Sequence, residues 1–227
     1  MSGMPMPGGW TMSMAWMRMP GQTWLEFAAS FLWMWIPMMV AMMLPSLIPM
    51  LRRYRRVIGA AQARRAALTA VVSAGYFFVW TLFGLAALPL GVALAAIEMQ
   101  QPALARAVPV AVGVVVLLSG AVQLSAWKAR RLECCREMPE DDCALSADAR
   151  AAWRHGLHLG IRCSLCCANL MVILLVVGVM DVQAMAVVTA FITIERLAPA
   201  GARVAPAAGV IVSALGLVLI ARAAGWG

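Results

Sequence analysis

Charge is scarce in this chain. Asp, Glu, Lys and Arg make up 12% of its 227 residues, and 18 are basic against 10 acidic. No stretch is long and polar enough to fold as a basic domain, so the net charge of +8 does not point to a nucleic-acid partner. Histidine is rarer still, with two in the chain and no pair inside an apolar run, which argues against buried b-type haem. There is no phosphate-cradling Gly-rich loop with a Lys, no H-E-x-x-H, no G-x-S-x-G and no C-x-x-C-H. These absences predict a protein that is not an enzyme and has no nucleotide or haem cofactor. With no ATPase domain, any transport is passive or ion-coupled.

What fills the chain is apolar. Hydrophobic residues make up 63%, and the mean hydropathy is +0.86, well outside the range of soluble domains. A bilayer core of about 30 Å takes roughly 20 helical residues to cross. Apolar runs of that order lie at 25–50, 67–90, 103–127, 160–180, 182–197 and 204–221, the fifth being short. Pro89 is expected to kink or end the second. The fold class expected is all-α, a polytopic membrane helix bundle of about six transmembrane helices, with five as the alternative. The organisation expected is a Met-rich flexible outward arm at 1–23, a bundle at 24–222 with a Cys-containing cytoplasmic loop at 128–150, and a tail at 223–227. The first apolar run is too long, and its leading arm too poor in charge, for a cleaved signal peptide.

Sidedness follows from the basic residues between the runs. Arg52, Arg53, Arg55, Arg56, Arg64 and Arg65 follow the first run, Lys128, Arg130, Arg131, Arg136, Arg150 and Arg154 follow the third, and Arg196 and Arg203 flank the turn after the fifth. By the positive-inside rule these stretches are cytoplasmic. The expectation is a multi-pass protein of the bacterial inner membrane with both termini outside.

Thirteen of the 18 methionines fall in the first 50 residues. Met4 and Met6, Met12 and Met14, and Met17 and Met19 form Met-x-Met pairs in the arm, whereas Met34, Met38 and Met42, with Met39 and Met43 beside them, repeat every four residues in the first run. Thioethers bind Cu(I) well and hard divalent ions poorly, so the two blocks suggest soft-metal capture leading into a membrane path. Flexible apolar filler is the competing reading, and it is weakest for the pairs in the polar arm.

Thiols gather elsewhere. Cys163, Cys166 and Cys167 stand at i, i+3 and i+4 of the fourth run, and Met171 extends the same helical face. Such neighbours have Cβ atoms about 5–6 Å apart, close enough for their sulfurs to converge on one ion. Packing as small apolar side chains is the alternative. Upstream lie Cys134, Cys135 and Cys143, then His155 and His158 on an amphipathic lead-in, at spacings that do not match a zinc finger. Among the acidic residues near apolar runs, Glu195 beside Arg196, with Arg162 of the fourth run at similar depth, is read as one half of an interhelical ion pair, a hard-ligand or proton-coupling role being the alternative, and Asp181 as a helix-boundary residue.

Two stretches resemble a bacterial family of predicted metal-binding integral membrane proteins of unknown function. They are Trp35-Ile-Pro-Met-Met-Val-Ala-Met-Met-Leu-Pro45 and Gly160-Ile-Arg-Cys-Ser-Leu-Cys-Cys-Ala-Asn-Leu-Met171, which match that family's Met-Met-x-Ala-Met-Met-x-Pro and Gly-x-x-Cys-x-x-Cys-Cys-x-x-Leu-Met motifs. The resemblance extends through Gly178, Met180, Met185 and Glu195-Arg196. It implies a metal site at Cys163, Cys166 and Cys167. In the family's loop motif Lys128, Leu132, Cys135 and Arg136 fit, while Arg131 stands where the first cysteine would be. A looser likeness, of chemistry alone, is to Ctr-type copper transporters, which also pair an outward Met-rich tail with a Met-x-x-x-Met helix.

The function expected is therefore soft-metal binding at an inner membrane. Cu(I) would be held by Met34, Met38, Met39, Met42, Met43, Met171, Cys163, Cys166, Cys167 and Cys135, and transferred across or along the bilayer. The alternatives are a membrane metallochaperone or oxidase-assembly factor without net transport, and a structural protein with no metal. Partners expected are the lipid bilayer, the metal ion, and a periplasmic copper donor or a respiratory oxidase, with a homo-oligomer left open.

Overall fold

In the computed structural model, residues 4–6, 10–58, 61–136, 148–178, 181–197 and 201–225 are described. They form seven α-helices: α1 (Trp24–Val57), α2 (Gln62–Gln100), α3 (Pro102–Leu124), α4 (Ala126–Arg136), α5 (Ala149–Val177), α6 (Val182–Leu197) and α7 (Gly201–Ala223). The expected all-α bundle is what forms. Among the described residues five helices, α1, α2, α3, α5 and α7, are long and apolar enough to cross a membrane.

The alternative count of five is the number of described helices long and apolar enough to cross, because α6 has only 16 residues. At 1.5 Å per residue that is about 24 Å, short of the hydrocarbon thickness. Its ends explain the length. Asp181 caps it by accepting the Gln183 and Ala184 amides at 2.8 and 2.9 Å, the boundary role expected, and Glu195 and Arg196 end it as buried polar groups. Arg196 reaches Cys163, so α6 runs back antiparallel alongside the second half of α5.

Two further expectations are narrowed. Of the kink or end expected at Pro89, the end does not occur, and α2 continues to Gln100. α1 likewise runs through Pro37, Pro45 and Pro49, since neighbouring helices and local adjustments re-satisfy the backbone groups that Pro frees. The segment read as the start of a loop is α4, set off from α3 at Ser125, whose hydroxyl accepts the Lys128 amide at 3.2 Å.

Helices meet through small residues, as expected where apolar surface outside the bundle gives helices little reason to associate. A Cβ on Gly75 would lie 2.8 Å from the Trp153 carbonyl oxygen, and one on Gly156 would overlap the Val72 carbonyl, so α2 and α5 touch backbone to backbone. Gly113, Gly120 and Gly216 do the same for α3 and α7, and a Cβ on Gly209 would meet the Leu124 side chain. Because Val72 offers backbone rather than a movable side chain, Gly156→Ala is expected to part α2 from α5 at a cost of about 1–3 kcal/mol. Thermal melts of the detergent-purified protein should show this as a lower Tm; an unchanged melt would mean that the α2–α5 contact tolerates a Cβ.

The arm expected to be flexible has local order where it is described. Strand β1 (Met4–Met6) pairs antiparallel with β2 (Trp10–Met12), and a single 3-10 turn covers Met14–Trp16. Trp10 Nε1 donates to the Ala105 carbonyl at 2.9 Å. Trp16 packs against Phe31 (5.6 Å between centroids) and over Gly91, where a Cβ would overlap its indole. The arm thus seats on one end of the bundle. From there Phe31 stacks on Trp35, and Trp35 on Phe83.

Candidate functional site

The α1 methionines and α5 cysteines share one core. Met38, Met39, Met42 and Met43 are buried together with Cys163, Cys166, Cys167 and Met171 in a single cluster, and Met34 packs against it from a partly buried position. Four-residue spacing is why α1 presents these thioethers on one side: i and i+4 lie one turn apart on a helix surface. The same rule stacks Cys163, Cys167 and Met171 along α5. Cys135 lies in α4 by its backbone; its side chain, like those of Cys134 and Arg136, is outside the described residues, as are Cys143 and Met180.

The three α5 cysteines carry thiols. The Cys163 and Cys167 sulfurs are 3.9 Å apart. Two donors converge on Cys163 from other helices: Tyr76 Oη of α2 at 3.0 Å and Arg196 Nη1 of α6 at 2.9 Å. Both aim at sulfur in a fully buried setting, an arrangement that favours electron-rich sulfur. Arg196 is itself held by α1, donating from Nη1 to Ser46 Oγ at 3.1 Å and from Nη2 to Met50 Sδ at 3.5 Å. Ser46 in turn donates to the Met43 carbonyl at 3.0 Å.

Beside the thiols runs a buried polar network. Lys128 Nζ of α4 donates to the Cys166 carbonyl at 2.6 Å and pairs with Glu195 Oε2 at 3.2 Å. Gln123 Nε2 of α3 donates to the other Glu195 oxygen. Asn169 of α5 links the set, donating to Gln123 Oε1 at 2.5 Å and accepting from Lys128 at 3.5 Å. Four helices are tied in one layer at the level of Cys166. Glu195 is the interhelical ion-pair residue expected, but its partner is Lys128 of α4 rather than Arg162, the residue that the sequence set at its depth.

Lys128 and Arg196, read from sequence as markers of where the chain leaves the bilayer, are buried inside the bundle. Each is fixed by a partner that spacing along the chain does not reveal. By contrast Arg52, Arg53, Arg55 and Arg56 at the end of α1 and Arg64 at the start of α2 are exposed. His155 is buried and stacks on Tyr54 at 5.3 Å, whereas His158 is exposed. Tyr76, Gln123, Ser46 and Met50 carry no sequence signal for the site. Asn169 lies inside the cysteine motif but at one of its unspecified positions, so the motif did not single it out.

Among the described residues no group of three or more His, Cys, Asp or Glu side chains is arranged to hold a metal ion. The donors that meet here are sulfurs of two kinds, and such a set suits a soft monovalent ion rather than a hard one. No curated protein and no solved structure matches the chain. A family model described as copper chaperone, PpoB2, matches residues 32–219, from the first turns of α1 into α7. With most of its length covered, including both sulfur-bearing helices, the chain belongs to that copper chaperone family.

Proposed function

We propose that this protein holds Cu(I) on sulfur donors buried between α1, α5 and α6 and hands it to a partner protein within the membrane. The observation that carries the proposal is the convergence of Cys163 and Cys167, 3.9 Å apart, with Met38, Met39, Met42, Met43 and Met171 in one buried cluster. With metal–thiolate bonds of about 2.3 Å, as for zinc, that separation sets a sulfur–metal–sulfur angle of about 116°. An angle so far from linear leaves a third position open, and thioethers are the donors the cluster supplies for it. Cys166 is the third thiol of the set, and Met34 marks the end of the α1 stripe nearer the arm.

Thioethers release Cu(I) more readily than thiolates do, so the α1 stripe receives and the cysteines retain. The exposed Arg residues at the α1–α2 turn support a cytoplasmic position for that end, and with it an outward position for the methionine arm at a bacterial inner membrane. Membership of a copper chaperone family favours hand-over to a partner, such as a respiratory oxidase, over net transport.

The purified protein loaded under reducing conditions is expected to retain about one Cu(I) per chain through extensive washing. Vesicles containing it should accumulate no more copper than empty ones. Protein-dependent accumulation would replace chaperoning by transport, and a washed protein without copper would remove both.

A further inference from the structure

The hairpin of the arm sorts its methionines in a way that spacing along the chain does not show. Met-x-Met spacing joins Met12 to Met14 and Met17 to Met19, but the ladder sets Met12 opposite Met4 and Met6 opposite Trp10. Residues directly opposite in an antiparallel pair, and residues two apart on one strand, share a face. One face of the hairpin therefore consists of Met4, Met6, Trp10 and Met12, and the other of Pro5 and Thr11. Met14 begins the 3-10 turn instead, and Met19 is exposed.

The sulfur-bearing face lies against the bundle. Trp10 Nε1 donates to the Ala105 carbonyl of α3 at 2.9 Å, and Met12 is buried although its strand has only three residues. Met6 and Trp10 are partly buried. Packing alone does not account for these residue types. Strand positions favour β-branched and aromatic side chains, and the chain is rich in valine, yet no β-branched residue stands on this face. What methionine offers and valine does not is a soft donor. Met6 and Met12 are diagonal neighbours in the ladder, a separation of about 7–8 Å that long side chains span. Trp10, opposite Met6 and two residues before Met12, adjoins both, and an indole face attracts a cation. Its bond to Ala105 holds the ring in place.

We propose that this face is a second soft-metal site, separate from the thiols, in which the Met6 and Met12 thioethers bind a monovalent soft cation beside the Trp10 indole. The inference rests on the copper reading above only for the natural ion, Cu(I); it shares no donor with Cys163 and Cys167. Thioethers hold such an ion loosely, so the washing that leaves the buried site loaded empties this one. Loose binding suits a point of entry. The site sits at the end of the bundle where the α1 stripe begins, since Trp16 of the same arm packs on Phe31, three residues before Met34.

The test counts Ag(I), a monovalent soft probe that does not change oxidation state, by equilibrium dialysis of the full-length protein in chloride-free detergent buffer, where loosely held ions are kept. Met6→Leu with Met12→Leu removes the donors and keeps the apolar volume. That variant should bind about one Ag(I) per chain fewer than wild type, whereas Met19→Leu should bind the wild-type number. Met6→Leu alone, at a partly buried position where little packing is at stake, should already bind fewer ions than wild type. Wild-type counts in the Met6 and Met12 variants overturn the inference, and so does an equal loss in Met19→Leu. The difference of one ion should persist when Cys163 and Cys167 are both replaced by Ser, which separates this site from the buried one. A difference that vanishes with the thiols also overturns the inference.

Discussion

Replacing Cys163 and Cys167 together by Ser is expected to strip the purified protein of its Cu(I). The affinity should fall by more than the roughly 10–100-fold that removal of a residue merely supporting a metal ligand costs. Serine has nearly the shape of cysteine, and its hydroxyl accepts hydrogen bonds, so Tyr76 and Arg196 keep a partner at position 163. The bundle therefore loses its soft donors with little change in packing. A hydroxyl oxygen is a hard donor with no affinity for Cu(I) to replace what sulfur provides. Copper content by elemental analysis, beside a thermal melt to show that the variant is folded, reads the outcome directly. Cys166→Ser should lose less, because it leaves intact the Cys163 and Cys167 sulfurs that lie 3.9 Å apart. Wild-type copper content in the folded double variant would move the site away from α5 and leave the cysteines as packing.

That the α1 methionines and the α5 cysteines each share one helix face was legible because helical periodicity writes it into the chain. Met34, Met38 and Met42, with Met39 and Met43, repeat each turn, and Cys163, Cys167 and Met171 do the same, so one face follows from spacing alone. What spacing does not carry is which helix the face meets. Tyr76 lies 87 positions from Cys163, and Gln123 lies 72 from Glu195. Nothing in the local pattern of α2 or α3 singles either out. Positive charge was ambiguous for another reason. A Lys or Arg at the end of an apolar run reads the same whether it reaches out to the membrane surface, as Arg52 and Arg53 do, or turns inward to a partner, as Lys128 and Arg196 do. The short α6 was the hardest element to place, because an apolar run of 16 residues satisfies hydropathy without reaching across. The α2–α5 contact, by contrast, was written in Gly156 and Gly160, a small-xxx-small pair whose use only the packing reveals.

The largest stability effect is expected at Lys128 and Glu195. Their side chains are 0% and 2% exposed, and they meet at 3.2 Å in the layer that joins α3, α4, α5 and α6. Lys128→Met leaves a carboxylate buried beside Gln123, and Glu195→Gln leaves an ammonium beside the Cys166 carbonyl. Removing one partner of a buried pair costs about 3–5 kcal/mol, because the remaining charge keeps its desolvation penalty without its compensation. Lys128→Met with Glu195→Gln removes both charges. The amide oxygen at 195 still accepts from Gln123, and the methionine fills the volume of the lysine stem, so the double variant should recover most of what either single one loses. Thermal melts of the four proteins form a cycle that isolates the pair from its surroundings. A double variant that loses the sum of the two single losses would mean that Lys128 and Glu195 act independently, and that the layer is held by Gln123 and Asn169 instead.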